Sequence, residues 1–196
     1  MNATIPLFPL NTVLFPGGVL PLRVFEPRYL DMVSNCLRTE TGIGVILIKE
    51  GSEVGNAARP HDMGTMTSIC YWNKRKDGLL GVTLKGEKRF NILSQTVEPN
   101  QLIMADVEIL PDEAESPVIA EYQHMADLLQ EIISQLEPPY STMPTHFDNA
   151  NWVSARLVEL LPLELSLKQY LLQTENPLER LAELNAHLNV KKYNQK

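Results

Sequence analysis

Prolines set the first constraint on this chain. Between Ile5 and Tyr29 the apolar residues are punctuated by Pro6, Pro9, Pro16 and Pro21, each of which removes a backbone donor. Such a segment is confined to short extended pieces, edge positions and turns. Gly17 and Gly18 supply a turn, Val19 to Phe25 reads as a strand, and Glu26-Pro27 opens a helix with proline in its first turn. Tyr29, Leu30, Val33, Cys36 and Leu37 then recur at the helical period, which lays that helix against the strands.

The pattern beyond is mostly that of strands. Ile43 to Ile48, Thr65 to Tyr71, Leu79 to Leu84, Arg89 to Val97 and Leu102 to Leu110 are short apolar or β-branched runs bounded by turn residues. Asp77-Gly78 marks a hairpin, and Gly51 to Gly64 reads as an exposed loop. Six or so strands suggest a closed or half-closed barrel. At Pro111 to Ser116 the composition turns acidic, and Ser116-Pro117 predicts a helix start. Val118, Ile119, Tyr122, Met125, Ala126, Leu129, Ile132, Ile133 and Leu136 form one wide apolar stripe. Further helices are expected over Ala150 to Leu161, over Ser166 to Gln173 and from Asn176-Pro177 onward, with Lys191 to Lys196 as a loose tail. Strands followed by helices predict an α+β protein: a β-rich unit over 1–112 with one inserted helix, then a helical bundle over 113–196.

The run from Pro9 to Tyr29, with Phe15-Pro16-Gly17, Leu20-Pro21-Leu22 and Val24-Phe25-Glu26 before Arg28-Tyr29, resembles the N-terminal substrate-binding domain of the ATP-dependent protease Lon, especially its stand-alone bacterial versions. Gly64-Thr65, the strand Gly86 to Ile92 and the segment Leu161 to Leu181 are similar to later parts of the same family. The resemblance implies a PUA-like pseudobarrel followed by a helical subdomain, with polypeptide as the ligand class.

Full-length Lon couples ATP hydrolysis to a serine–lysine protease, and those parts are not found in the 196 residues. No Gly-x-x-x-x-Gly-Lys-Ser/Thr run is present to wrap phosphates. Ser166 and Lys168 are two apart on an expected helix and point away from each other. His61, His124, His146 and His187 lie in separate segments without metal-ligand spacing, so neither metal nor cofactor is expected. Asp62 could orient His61, but no nucleophile accompanies them. Cys36 and Cys70 read as buried thiols that suit a reducing compartment. No apolar run reaches the roughly 18 residues of a membrane helix, and no signal-peptide pattern precedes Arg23, so a cytoplasmic protein is expected. The formal charge of −7 leaves no basic surplus for phosphates, which weighs against nucleic acid.

Two surfaces emerge. The first is an apolar patch: some of Phe8, Leu14, Phe15 and Pro16 are expected to stay near the surface, with Glu26, Arg28 and Tyr29 as a polar rim, to grip unfolded or weakly folded polypeptide or a partner protein. Burial of those apolar residues in the barrel is the competing expectation, as is a structural Glu26 that caps its helix or pairs with an arginine such as Arg89. The second is an RNA-binding alternative on Trp72, Lys74, Arg75, Lys76, Lys88 and Arg89, where stacking and phosphate contacts would use these residue types. An enzyme acting on a small molecule in the barrel mouth is a third reading, and it would need convergent ionisable groups.

Overall fold

In the computed structural model, which describes residues 2–193, Pro6 and Pro9 lie inside one continuous strand, β1 (Asn2–Leu10). β1 pairs antiparallel with β7 (Ile103–Ile109) over Asn2–Leu7, and parallel with β3 (Ile43–Glu50) over Leu7–Leu10. The two ladders overlap only at Leu7, so each proline has a strand neighbour on one side only. That is the edge position where a residue without an N–H is tolerated.

The chain divides into two compact units, Met1–Asp112 and Glu113–Lys196. In the first, a single bent strand, β6 (Leu80–Val97), replaces the two strands that the sequence suggests. Its first half lies between β2 (Val19–Val24) and β5 (Met63–Lys74), and its second half pairs with β7. Register shifts along β5, β6 and β7 supply the bends. The β1–β7, β7–β6, β6–β5, β5–β3 and β3–β1 ladders form a closed path. Gly51 to Gly64 is not wholly loop, because β4 (Arg59–Pro60) pairs with β3 and Ala58 is buried.

Alternation along the strands builds two apolar clusters. Ile5, Leu7, Ile46, Phe90, Ile103, Ala105 and Val107 form one of them. A Cβ on Gly64 would collide with the Val45 carbonyl and the Phe90 ring, which explains the glycine of Gly64-Thr65. The other cluster joins Phe8, Leu10, Val24, Ile43, Val45, Val82 and Leu84 to α1 (Pro27–Thr39) through Tyr29, Met32, Val33 and Cys36. Burying each such side chain contributes about 1.5–3 kcal/mol. The Gly17-Gly18 turn docks on Gly86 through Gly17 N–H to the Gly86 carbonyl and Gly86 N–H to the Gly18 carbonyl, both 2.8 Å.

The second unit contains α2 (Gln123–Ser134), α3 (Ala150–Leu160), α4 (Leu165–Gln173) and α5 (Pro177–Tyr193). Ser116-Pro117 does not open a helix. Pro117 bridges to Asn149, the Ser116 carbonyl accepts from Ala150 N–H, and Val118 N–H donates to the Asp148 carbonyl. Because these backbone groups pair at the entry to α3, the apolar stripe begins in an extended segment and becomes α-helical only at Gln123. Leu129 and Ile133 are buried. Asn149 caps α3, its side chain accepting from the N–H groups of Asn151 and Trp152. Lys191–Tyr193 continue α5, and the rest of the expected tail lies outside the described residues.

Two buried arginines organise this unit. Arg180 donates to the carbonyls of Leu171 and Thr174, to Ser154 Oγ and to Glu113 Oε1 at 2.6 Å. Arg156 forms an ion pair with Glu159 at 2.7 Å.

Candidate functional site

β2 alternates as its pleat requires, so Val24 turns into the core and the next residue, Phe25, turns out, 55% exposed. Glu26 is held extended by the proline after it, and its side chain makes no cap bond to α1. Here the chain borders a cleft of about 90 Å³. Phe8 and Leu10 of β1, Leu22 and Val24 of β2 and Tyr29 of α1 line it, with Phe25, Val54, Arg23, Glu26 and Glu53 around them. Phe8 and Tyr29 stack with their ring centroids 4.3 Å apart. Val54, like Phe25, is 55% exposed, so the cleft has an apolar lining and two apolar residues on its open side.

Arg28 secures the surroundings of the cleft. It is buried, pairs with Glu26 at 3.0 Å, donates to the carbonyls of Gln101 (2.9 Å) and Glu53 (3.4 Å), and lies 4.5 Å from the Tyr29 ring centroid. Gln101 in turn accepts from Ala57 N–H, and the Glu53 carboxylate accepts from Asn11 N–H. The loop that presents Val54 is thereby tied at Glu53 and Ala57. Burial pushes the Tyr29 phenol above its ordinary range, opposed by Arg28 and aided by Glu26 and Glu53. It stays neutral at physiological pH. The inner lining is apolar, with Arg23 and the Glu26 and Glu53 carboxylates around it, so the arrangement can bind apolar groups.

Phe8, Glu26, Arg28 and Tyr29, singled out from the sequence, come together here. Leu14 packs in the apolar cluster beneath, whereas Phe15 and the half-buried Pro16 lie at the Gly17-Gly18 turn, where the Phe15 carbonyl abuts Gly86. The expectation that some of Phe8, Leu14 and Phe15 remain at the surface is corrected: all three are buried, at 6%, 4% and 1% exposure. Thr65 explains part of this, since its hydroxyl donates to the Leu14 carbonyl and draws the segment onto the sheet. Glu26 does pair with an arginine, and that arginine is Arg28. Phe25 and Val54 were missed. Strand alternation from Val24 could have exposed Phe25, but nothing local marks Val54.

The alternative basic residues do not form one patch. Trp72, Lys74, Arg75 and Lys76 are exposed around the β5–β6 turn, with Arg75 on Asp77 at 3.3 Å. Lys88 lies about 20 Å further along β6 from Val82, the partner of Trp72, by strand rise. Lys88 is paired with Asp112 at 2.9 Å, and Arg89 is buried. Cys36 is buried as expected, whereas Cys70 is exposed. Lys168 donates to the Glu159 carbonyl, and burial pushes its ammonium pKa down. Burial, with Lys49, likewise lowers His61. Among the described residues no cluster of His, Cys, Asp or Glu could hold a metal ion, and no helix is long and apolar enough to cross a membrane.

The sequence pattern of the family described as the ATP-dependent protease La (LON) substrate-binding domain matches residues 4–190. A solved Lon N-terminal domain protein from Xanthomonas campestris is 35% identical, with a TM-score of 0.77 over 94% of this chain and 98% of that one. The N-terminal domain of the Mycobacterium avium complex Lon protease, 16% identical, shares the fold with a TM-score of 0.62 over 93% of this chain and 96% of that one. The Lon protease of Flavobacterium johnsoniae is 27% identical over 97% of this chain but only 24% of its own length. The chain thus spans about a quarter of that relative.

Proposed function

The chain belongs to the family of the Lon substrate-binding domain, and from that premise we propose that its cleft beside α1 takes up apolar stretches of unfolded or weakly folded polypeptide. The observation that carries the reading is the exposed pair Phe25 and Val54 beside an apolar lining. Apolar contact is non-directional and tolerates many sequences, as a binder of diverse polypeptides requires. In this reading residues 1–112 are a PUA-like pseudobarrel, 113–196 a helical bundle, and the protein a cytoplasmic, non-enzymatic binding module.

The test is binding of a permanently unfolded model protein, such as reduced and carboxymethylated lactalbumin, to the full chain. Phe25→Ser and Val54→Ser should weaken binding with little change in melting temperature, and binding should hold or strengthen as salt rises. Unaltered affinity in both variants would remove the cleft from the function. A steep loss with salt, together with tight binding of single-stranded RNA, would favour the nucleic-acid reading instead.

A further inference from the structure

β5 outruns one of its neighbours. β3 pairs with it only at Thr65–Thr67, while β6 continues alongside to Lys74. Among the described residues no strand pairs with the other side of Ser68–Lys74. Along it Tyr71 and Trp72 are exposed, at 59% and 55%. Where this open edge begins, Leu37, Glu40, Gly42 and Ile69 border a groove of about 270 Å³. Where it ends, Lys74 and Lys76 stand exposed, with no ion-pair partner among the described residues.

We infer that this edge accepts an extended, acidic polypeptide segment as an added strand. An unpaired strand side presents alternate N–H and C=O groups to solvent, and these can bond to the main chain of any extended sequence. Tyr71 and Trp72 offer large contact area at little entropic cost. Charge sets the orientation. Glu40 lies by the groove where the edge begins, whereas Glu87, which accepts from Ser68 at 2.6 Å, is offset by Lys85 at 3.8 Å; the edge thus runs from acidic at Glu40 to basic at Lys74 and Lys76. The segment's own acidic residues therefore lie toward the hairpin tip.

A second copy of the chain fits less well. The register shift between Ile69 and Tyr71 adds local twist, which a flexible peptide can follow but two rigid edges must match. RNA also fits less well, because Arg75 is engaged by Asp77 and Arg89 is buried. The inference rests on the reading of this unit as a polypeptide binder, but assigns a contact surface other than the cleft.

The probe is a fluorescein-labelled peptide with a short run of aspartates followed by alternating valine and threonine, tested by anisotropy on the full chain. Two further versions carry N-methyl groups on alternate residues, one set for each side of an extended strand. The parent peptide should bind, and one methylated version should lose affinity by about tenfold or more, as should the double variant Lys74→Glu, Lys76→Glu. Trp72→Ser should weaken it as well, while Phe25→Ser leaves it unchanged. Equal binding of both methylated versions overturns the inference, as does indifference to the charge reversal or failure of the parent peptide to bind. Loss on Phe25→Ser with Trp72→Ser silent would return the peptide to the cleft and leave that reading standing. A dimer in sedimentation that Trp72→Ser dissolves, with no peptide bound, would give the edge to a second copy. Tight single-stranded RNA binding without discrimination among the peptides would give it to nucleic acid.

Discussion

Arg28 in the strand-rich unit and Arg180 in the helical unit are both buried, yet they are held differently. Arg180 uses Nε, Nη1 and Nη2, and its partners Leu171, Thr174, Ser154 and Glu113 make a closed staple across α3, α4 and the segment entering the unit. Arg28 has one carboxylate and two loop carbonyls, while its buried Nε has no hydrogen-bond partner among the described residues. An unmet buried donor costs about 1–3 kcal/mol, so the packing around Arg28 offsets a defect that Arg180 avoids. The contrast separates two uses of one side chain. Arg180 joins elements within a fold, and Arg28 fixes the loops that border an open cleft.

The largest effect should come from Arg180→Met, which removes the guanidinium that donates to Glu113 Oε1, Ser154 Oγ and the carbonyls of Leu171 and Thr174. A loss of about 3–5 kcal/mol in urea unfolding is expected. Leu129→Ala, at a fully buried position of α2, should cost about 2–5 kcal/mol and provides an apolar reference for the same unit. Arg28→Met should cost less, about 1–3 kcal/mol, and should also weaken polypeptide binding by loosening the loop at Glu53. If it destabilises as much as Arg180→Met and leaves binding intact, the contrast between the two arginines collapses. Phe25→Ser should shift stability by no more than about 0.5 kcal/mol while reducing affinity.

The smallest effect concerns a charge at the surface. Hydrogen bonds from Thr4 and Ser94 hold the Asp106 carboxyl below its ordinary range. Because the folded pKa is depressed, this contribution is present above the unfolded value of about 3.9 and is lost as pH falls through the folded one. The stability difference between the wild type and Asp106→Asn should therefore be full at neutral pH and close in acid. A difference that widened in acid would contradict the assignment.

Much of the fold is legible where local chemistry decides it. Pro27 at the start of α1, Asp77-Gly78 at the hairpin and Asn176-Pro177 before α5 act through their own backbones, and each marks its element. Failures occur where distant residues decide. The stripe from Val118 reads as helix throughout, but Asp148 and Asn149 capture the backbone at its start. β6 reads as two strands because Gly86 resembles a break, whereas the glycine is needed for the close approach of Phe15. The candidate site shows the same division. Glu26, Arg28 and Tyr29 stand out through their strand-to-helix junction, but Val54 reaches the cleft only because Arg28 and Asn11 tether Glu53 in a loop with no local signal.

The double pairing of β1 has a consequence for the order of assembly. Its partner across Asn2–Leu7 is β7, so Asn2 sits opposite Glu108. During synthesis the first strand emerges long before that partner, and the ring of ladders has to wait for it. Contacts of such sequence separation raise the loop-closure cost before any burial compensates, placing this unit among slow-folding topologies, in the millisecond-to-second range. Until β7 arrives, β1 and the second half of β6 lack a neighbour they have in the native sheet, so the half-made chain is itself a sticky polypeptide of the kind the finished one is proposed to hold.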